Sequence, residues 1–460
     1  MTQVKTEKER AHTGKIERLV FDGFRLFPTG EKGKLVATYS RNCSCADGVL
    51  QGGIGFEPYL DRNGDEVLTI FGKDRRAVYV LEGWENGEGS ALVPYYFLHS
   101  KSGKIWQYSV EQGGYVEKEN LGLNAYLVAA SAPNGQTKII ISGENGAYCV
   151  DGEKWTKIND VAAGNGTAAV CFSKHRTFVG EKPCKLLYSN PEAPWDFTNS
   201  YDDGGYVYLP LNKGDIVDMV EYGDNVYVFF QRGIVRVKPD GLARNFQVRE
   251  VPYFGGEIFA KSVGICENWM FFLSENGICR FDGDKVERVG RCLDVLPAKR
   301  GQVCAHATVG DYFVLQYFDA GMYMTRTVAL RADDKDAYFI YDYEGLNESN
   351  RMPVCVVENK VSTLREGGDL PSGEAFVFKS GFIGLDGVGR KYLKSVTVYG
   401  EGRIDLSVAT REDELEFNVE DLPQKQKIDV GLRGEEFRFS FHIEKSAKLR
   451  KMELEYECIV

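Results

Sequence analysis

Histidine is scarce in this chain. There are 5 among 460 residues, and no two have a metal-ligand spacing such as His-Glu-x-x-His, so metalloenzyme chemistry lacks a sequence anchor. Positive charge is in deficit, with 56 Lys and Arg against 67 Asp and Glu for a net charge of −11. That balance argues against a broad phosphate-binding surface, which needs clustered cations. No apolar run approaches the ~18 residues of a membrane span, and the opening MTQVKTEKERAHTGK has no apolar core of the kind a secretory signal carries. The expectation is a soluble protein that no general signal exports. Gly-x-Ser-x-Gly, the P-loop pattern and a strand-linked Gly-x-Gly-x-x-Gly are all missing, which leaves nucleophile and phosphate-loop chemistry unsupported.

What the chain has in quantity is glycine and aromatics: 51 Gly, 25 Tyr and 27 Phe, a composition that favours turns and strands over long helices. At roughly 100–200 residues per domain, the length predicts two or three domains. The 11 cysteines are an odd number, scattered singly through apolar stretches such as AAVCF and SVGICENWMFF. They read as reduced thiols packed as small hydrophobes, hence a cytosolic place of assembly.

A repeat organises the middle of the chain. Segments 142–155, 229–241 and 272–290 share one design: an apolar strand, a turn with glycine, a second strand, then Asp-Gly. The turn glycines Gly233 and Gly277 are 44 residues apart, Gly146 lies 87 before Gly233, and the same step meets Gly321, Gly367, Gly103 and Gly64. A period of this length holding about four short strands is that of a propeller blade. A lone four-stranded sheet cannot cover both of its faces, whereas radial stacking covers each and leaves short edges. The sequence therefore predicts an all-β chain: a β-propeller of about seven blades, with six or eight the neighbouring counts, over residues 56–390. A less regular unit surrounds Cys184, and a Pro-, Asp- and Gly-rich insertion falls near 190–208.

The flanks lie outside the period. Residues 1–18 form a basic tail and 19–55 an extended lead-in, giving an N-terminal segment of 1–55. Residues 391–460 alternate apolar and polar over six strand-like runs, read as a C-terminal β-sandwich. In its fifth run Phe437, Phe439, Phe441 and Ile443 share one face.

Candidate chemistry is thin. Cys43 and Cys45, or Cys171, His175 and Cys184, lack the four spaced ligands of structural zinc. Asp61 to Asp65 resembles half of a calcium loop but has Gly72 where the twelfth ligand belongs, so it reads as a hairpin turn. Ser142 to Gly146 distantly resembles the turn of sialidase propellers and reads as a hairpin too. The expectation is a chain with no catalytic, cofactor or metal site. The aromatics Trp195, Phe197, Tyr201, Tyr206 and Tyr208 in or beside the insertion are either exposed contacts or buried anchors of the loop. Arg433, Arg438, Lys448 and Arg450 supply positive charge that could meet an acidic neighbour or simply be solvated.

The order of parts resembles a family, the propeller proteins that form the nozzle or neck of short-tailed bacteriophages and related prophage particles. The phrases that carry the likeness are FDGFRLFPTG and YSRNCSCADGVLQGGIG within 21–55, KHRTFVGEKPCKLLYSNPEAPWDF at 174–197, KGDIVDMVEYGDNVYVFFQRGIVRV at 213–237, and the C-terminal runs. The resemblance implies a structural virion subunit of the tail, without enzymatic activity, assembled in the host cytoplasm. It implies a ring, a hexamer, that extends or closes the DNA conduit, lets DNA pass without sequence-specific binding, and touches neighbouring tail or portal-adaptor proteins but no membrane. The alternative is a propeller that binds or cleaves host glycans during attachment.

Overall fold

The computed structural model describes residues 14–25, 33–61, 63–70, 72–84, 92–161, 166–198, 203–293, 304–333, 336–341 and 353–459. No α-helix occurs among them. The chain divides into two compact units, one of residues 55–334 and 340–371, the other of residues 1–54, 335–339 and 372–460.

The first unit is the predicted propeller. Five four-stranded antiparallel sheets follow one another in chain order, at Arg75–Trp84 through Gly114–Asn120, Ala125–Ser131 through Lys154–Ile158, Thr167–Ser173 through Gly205–Tyr208, Ile216–Tyr222 through Gln247–Val251, and Gly264–Cys266 through Val286–Arg288. A sixth begins with Ala305–Val309, Tyr312–Asp319 and Met324–Arg331. A seventh, three-stranded sheet joins Val354–Val357 and Lys360–Glu366 to Ile54–Pro58 from before the first sheet. The first strands contact one another in sequence round the ring, and the seventh sheet touches both the sixth and the first, so the ring closes.

Period-two alternation explains why these strands are apolar throughout. Along Asn225–Phe230, Val226, Val228 and Phe230 pack with Phe178 and Leu186 of the third sheet, while Tyr227 and Phe229 pack with Met270 and Phe272 of the fifth. Both faces are inside, as a strand sandwiched between sheets requires. Between the fifth and sixth sheets Phe271 stacks on Phe313 at 4.9 Å.

The second unit departs from the expected sandwich of residues 391–460. Its six strand-like runs are four strands, because Lys391–Ala409 and Glu414–Gly434 each run straight through what the sequence marks as a break. At the first of these, Gly402 has φ +91° and a Cβ there would lie 2.7 Å from the Ala447 Cα, so the bend where two strands nearly touch needs glycine. The lead-in is part of this unit. Lys15–Phe24 pairs antiparallel with Lys448–Cys458 and parallel with Lys34–Arg41. The circuit returns through Phe376–Ser380 and Glu436–Ile443 to Lys391–Ala409 and thence to Lys448–Cys458, a closed, barrel-like sheet. Phe21, Phe378 and Phe441 meet inside it with ring centroids 5.5–6.2 Å apart. The buried face of Phe437, Phe439, Phe441 and Ile443 is as the alternation predicts.

Candidate functional site

The insertion is the connection between the third and fourth strands of the third sheet, Lys185–Tyr188 and Gly205–Tyr208. Local bonds shape its first half: the Asn190 N–H donates to the Asp196 carbonyl at 2.8 Å, and the Asp196 N–H to that of Ala193 at 2.8 Å. Arg176 on the neighbouring strand, 2 % exposed, fastens both ends. Its guanidinium donates to the carbonyls of Ser189 at 2.6 Å, of Asp203, and of Gly241 at 3.2 Å, while its carbon lies over the rings of Phe246 and Tyr188 at 5.6 and 5.8 Å. Close approach also dictates Gly204, where a Cβ would stand 2.7 Å from the Thr198 carbonyl oxygen.

The predicted aromatics separate in this setting. Phe197 is 2 % exposed and belongs to the core between the second and third sheets, with Ile140, Val179 and Leu187. It is not an accessible contact: the loop turns its ring inward to cover apolar surface that the sheets leave uncovered. Trp195 is half-buried against the same core, with the Lys138 ammonium 4.5 Å from its ring. Tyr201 lies outside the described residues. Tyr206 and Tyr208 are exposed, 49 % and 66 %, because alternate residues of this outermost strand face solvent. Their rings pack edge to face at 5.6 Å, and Lys185 caps Tyr206 at 4.9 Å.

The predicted basic residues do not form one patch. Arg438 is half-buried and holds the Phe382 ring from one side at 5.1 Å, with Arg411 at 4.6 Å, and pairs with Glu414 at 3.9 Å. Arg433 is exposed beside the Tyr392 ring at 5.7 Å, whereas Lys448 and Arg450 are exposed on another strand. Along Lys391–Ala409 the partner of Arg433 is Tyr392 and that of Lys448 is Glu401, positions roughly 30 Å apart at ~3.3 Å per residue.

Five consecutive inner strands of the propeller line an axial cavity of about 320 Å³ that the sequence did not reveal. Its wall is mainly apolar, with Val128, Phe172, Val220 and Ile265, and carries Glu221, His306 and Thr308 as polar groups. The His306 Nδ1 lies 2.9 Å from the Lys261 carbonyl, and the Thr308 hydroxyl donates to that of Ile265. The turns that join first to second strands occupy one end of the ring. There Lys174 pairs with Asp224 at 2.7 Å, and the Glu267 carboxyl is raised above the usual range by its hydrogen bond to Asp311. Among the described residues no group of three or more His, Cys, Asp or Glu is placed to hold a metal ion. Asp61 makes the turn expected of it: its Oδ1 accepts from the N–H groups of Asn63 and Asp65 at 2.8 and 3.0 Å. None of the ten cysteines whose side chains are described is in a disulfide, and nine are buried.

No family model matches the chain, and no curated protein does. Among solved structures it is similar to the computationally designed Ika8 protein, at 11% identity over 76% of this chain and 99% of that one with a TM-score of 0.39. It is also similar to the β-propeller domain of Cps50 (Swd1) from Myceliophteria thermophila, at 10% identity over 63% and 96% with a TM-score of 0.39. These likenesses are too distant to bear on function.

Proposed function

We propose that the chain is a structural subunit of a phage or prophage tail, a nozzle or neck protein that works as an oligomeric ring and extends or closes the DNA conduit. The observation that carries this reading is the second unit. A propeller buries the faces of its own sheets, so a further closed unit built from both flanks of the chain is material available for assembly. The net charge of −11 suits a conduit that must release the DNA it passes. In this reading the subunit is not an enzyme, its hexameric ring forms in the host cytoplasm, and its contacts are with itself and with neighbouring tail or portal-adaptor proteins. The test is mass spectrometry of gradient-purified particles, with labelled electron microscopy to place the chain. Stoichiometric presence at the tail is the expected result, and absence from particles overturns the reading.

The exposed Tyr206 and Tyr208 favour a second reading, glycan binding at host attachment, because exposed rings stack on the apolar faces of sugars. A glycan array probed with wild type and Tyr206→Ala/Tyr208→Ala separates the two: no hit, or hits that survive the substitutions, removes it.

A further inference from the structure

The strand Glu414–Gly434 is 21 residues long, and among the described strands it pairs only with Lys391–Ala409. Among the described residues one edge of its backbone N–H and C=O groups is therefore open, which is costly and invites another strand. Pro423 and Gln424, the latter at φ 56°, divide that edge into two arms. The first arm carries Glu414, Glu416, Glu420 and Asp421 and no cation, Glu414 being paired with Arg438. The second carries Lys425, Lys427 and Arg433 with Asp429 its one carboxylate, Lys427 being paired with Glu455 at 2.7 Å and Lys425 and Arg433 lying beside rings. Guarding an edge against aggregation needs only charge, of either sign. Here the signs are segregated, and the exposed Glu416, Glu420 and Asp421 make no ion pair among the described residues. Segregation is what a self-complementary pairing requires.

We propose that this edge pairs antiparallel with the same edge of a second copy of the chain, about a two-fold axis near Pro423 and Gln424. That register lays each acidic arm along the basic arm of the other copy. Pairing an arm with its own counterpart instead sets Glu416 against Glu420, or Lys425 against Arg433, and like charges directly opposite destabilise a sheet. The two-fold makes the contact isologous, so it yields pairs by itself and even-numbered assemblies when combined with a ring. The inference stands apart from the virion reading and survives its failure.

The experiment uses the full chain and sedimentation velocity at micromolar concentration. One variant reverses the acidic arm, Glu416→Lys/Glu420→Lys/Asp421→Lys, and another the basic arm, Lys425→Glu/Arg433→Glu. Wild type is expected at twice the mass of either variant alone, or at an even multiple of it. An equimolar mixture of the variants, one edge now largely basic and the other largely acidic, recovers the wild-type mass. The proposal is overturned if either folded variant keeps the wild-type mass, or if the mixture stays at the mass of its components. Should a variant fail to fold, a salt titration of wild type decides: association must weaken as salt rises, and salt-insensitive mass or a monomer at low salt rejects the pairing.

Discussion

The guanidinium of Arg176 stands 2.6 Å from the carbonyl oxygen of Ser189, so a buried cation ties the third sheet to the start of its insertion. Arg176→Ala leaves that carbonyl and that of Gly241 without this donor, and each such loss costs ~1–3 kcal/mol. The expected loss of stability is ~3–5 kcal/mol by denaturant titration. Arg176→Lys recovers only part, because an ammonium cannot span the same acceptors in a plane. A loss below ~1 kcal/mol for the alanine variant contradicts the role of a fastener.

Phe197 and Tyr206 should behave oppositely. Phe197→Ala empties a core site and is expected to cost ~3–5 kcal/mol. Tyr206→Ala changes an exposed ring and should stay within ~0.5 kcal/mol. Any effect of Tyr206→Ala on self-association or glycan binding is then a property of the surface, measurable by sedimentation or glycan array with folding intact. The reverse ranking in thermal melts refutes the burial assignment.

Acid should weaken the propeller through His99. The side chain is 1 % exposed, its Nε2 is 2.8 Å from the Gly122 carbonyl, and burial lowers its pKa to about 4 despite that acceptor. As the pH falls from about 6.5 toward 4 the unfolded chain takes up a proton that the folded chain refuses, so stability declines across that window. The contribution is on the order of 2–3 kcal/mol, fully present above the unfolded value and lost by the folded one. His99→Gln can still donate to Gly122 but cannot titrate. Its melting temperature should fall less steeply with pH over that window than wild type's, and identical slopes exclude His99 as the source.

Thiol accessibility offers a fourth check. Cys458 is partly exposed while the nine other described sulfhydryls are buried, and burial raises those of Cys266 and Cys304 to about 12. Cys292 aside, an Ellman titration of native protein should show one fast thiol, abolished by Cys458→Ser, and the remainder only on unfolding. Several fast thiols would mean that the buried sites open readily.

The repeat was legible because it is local. Gly103, Gly146, Gly233, Gly277 and Gly321 all fall in the hairpin between second and third strands of their sheets, and in the third sheet the Pro183-Cys184 turn takes that place, matching the irregular unit. Gly64 gives a short step because it lies one hairpin later, between Leu60 and Glu66. The barrel-like closure was not legible, since pairing Lys15–Phe24 with Lys448–Cys458 joins residues that no window sees together. Gly402 and Pro423 also read as strand breaks when they are bends in continuous strands. Phe197 shows the limit for the site: composition places an aromatic in a loop but does not say which way it turns. Arg176 carried no signal beyond being a lone cation among apolar strand residues.

The three-stranded sheet that closes the propeller has a consequence for biosynthesis. Ile54–Pro58 leaves the ribosome early, yet its neighbour Lys360–Glu366 follows some 300 residues later. Up to that point a nascent chain can stack its successive sheets only as an open arc with two raw ends. Vectorial synthesis thus leaves the last contact to a very long loop closure, the slowest kind to find and the one most exposed to wrong partners. A cell making many copies at once is shielded from tangled arcs by the speed with which that final strand pair zips shut.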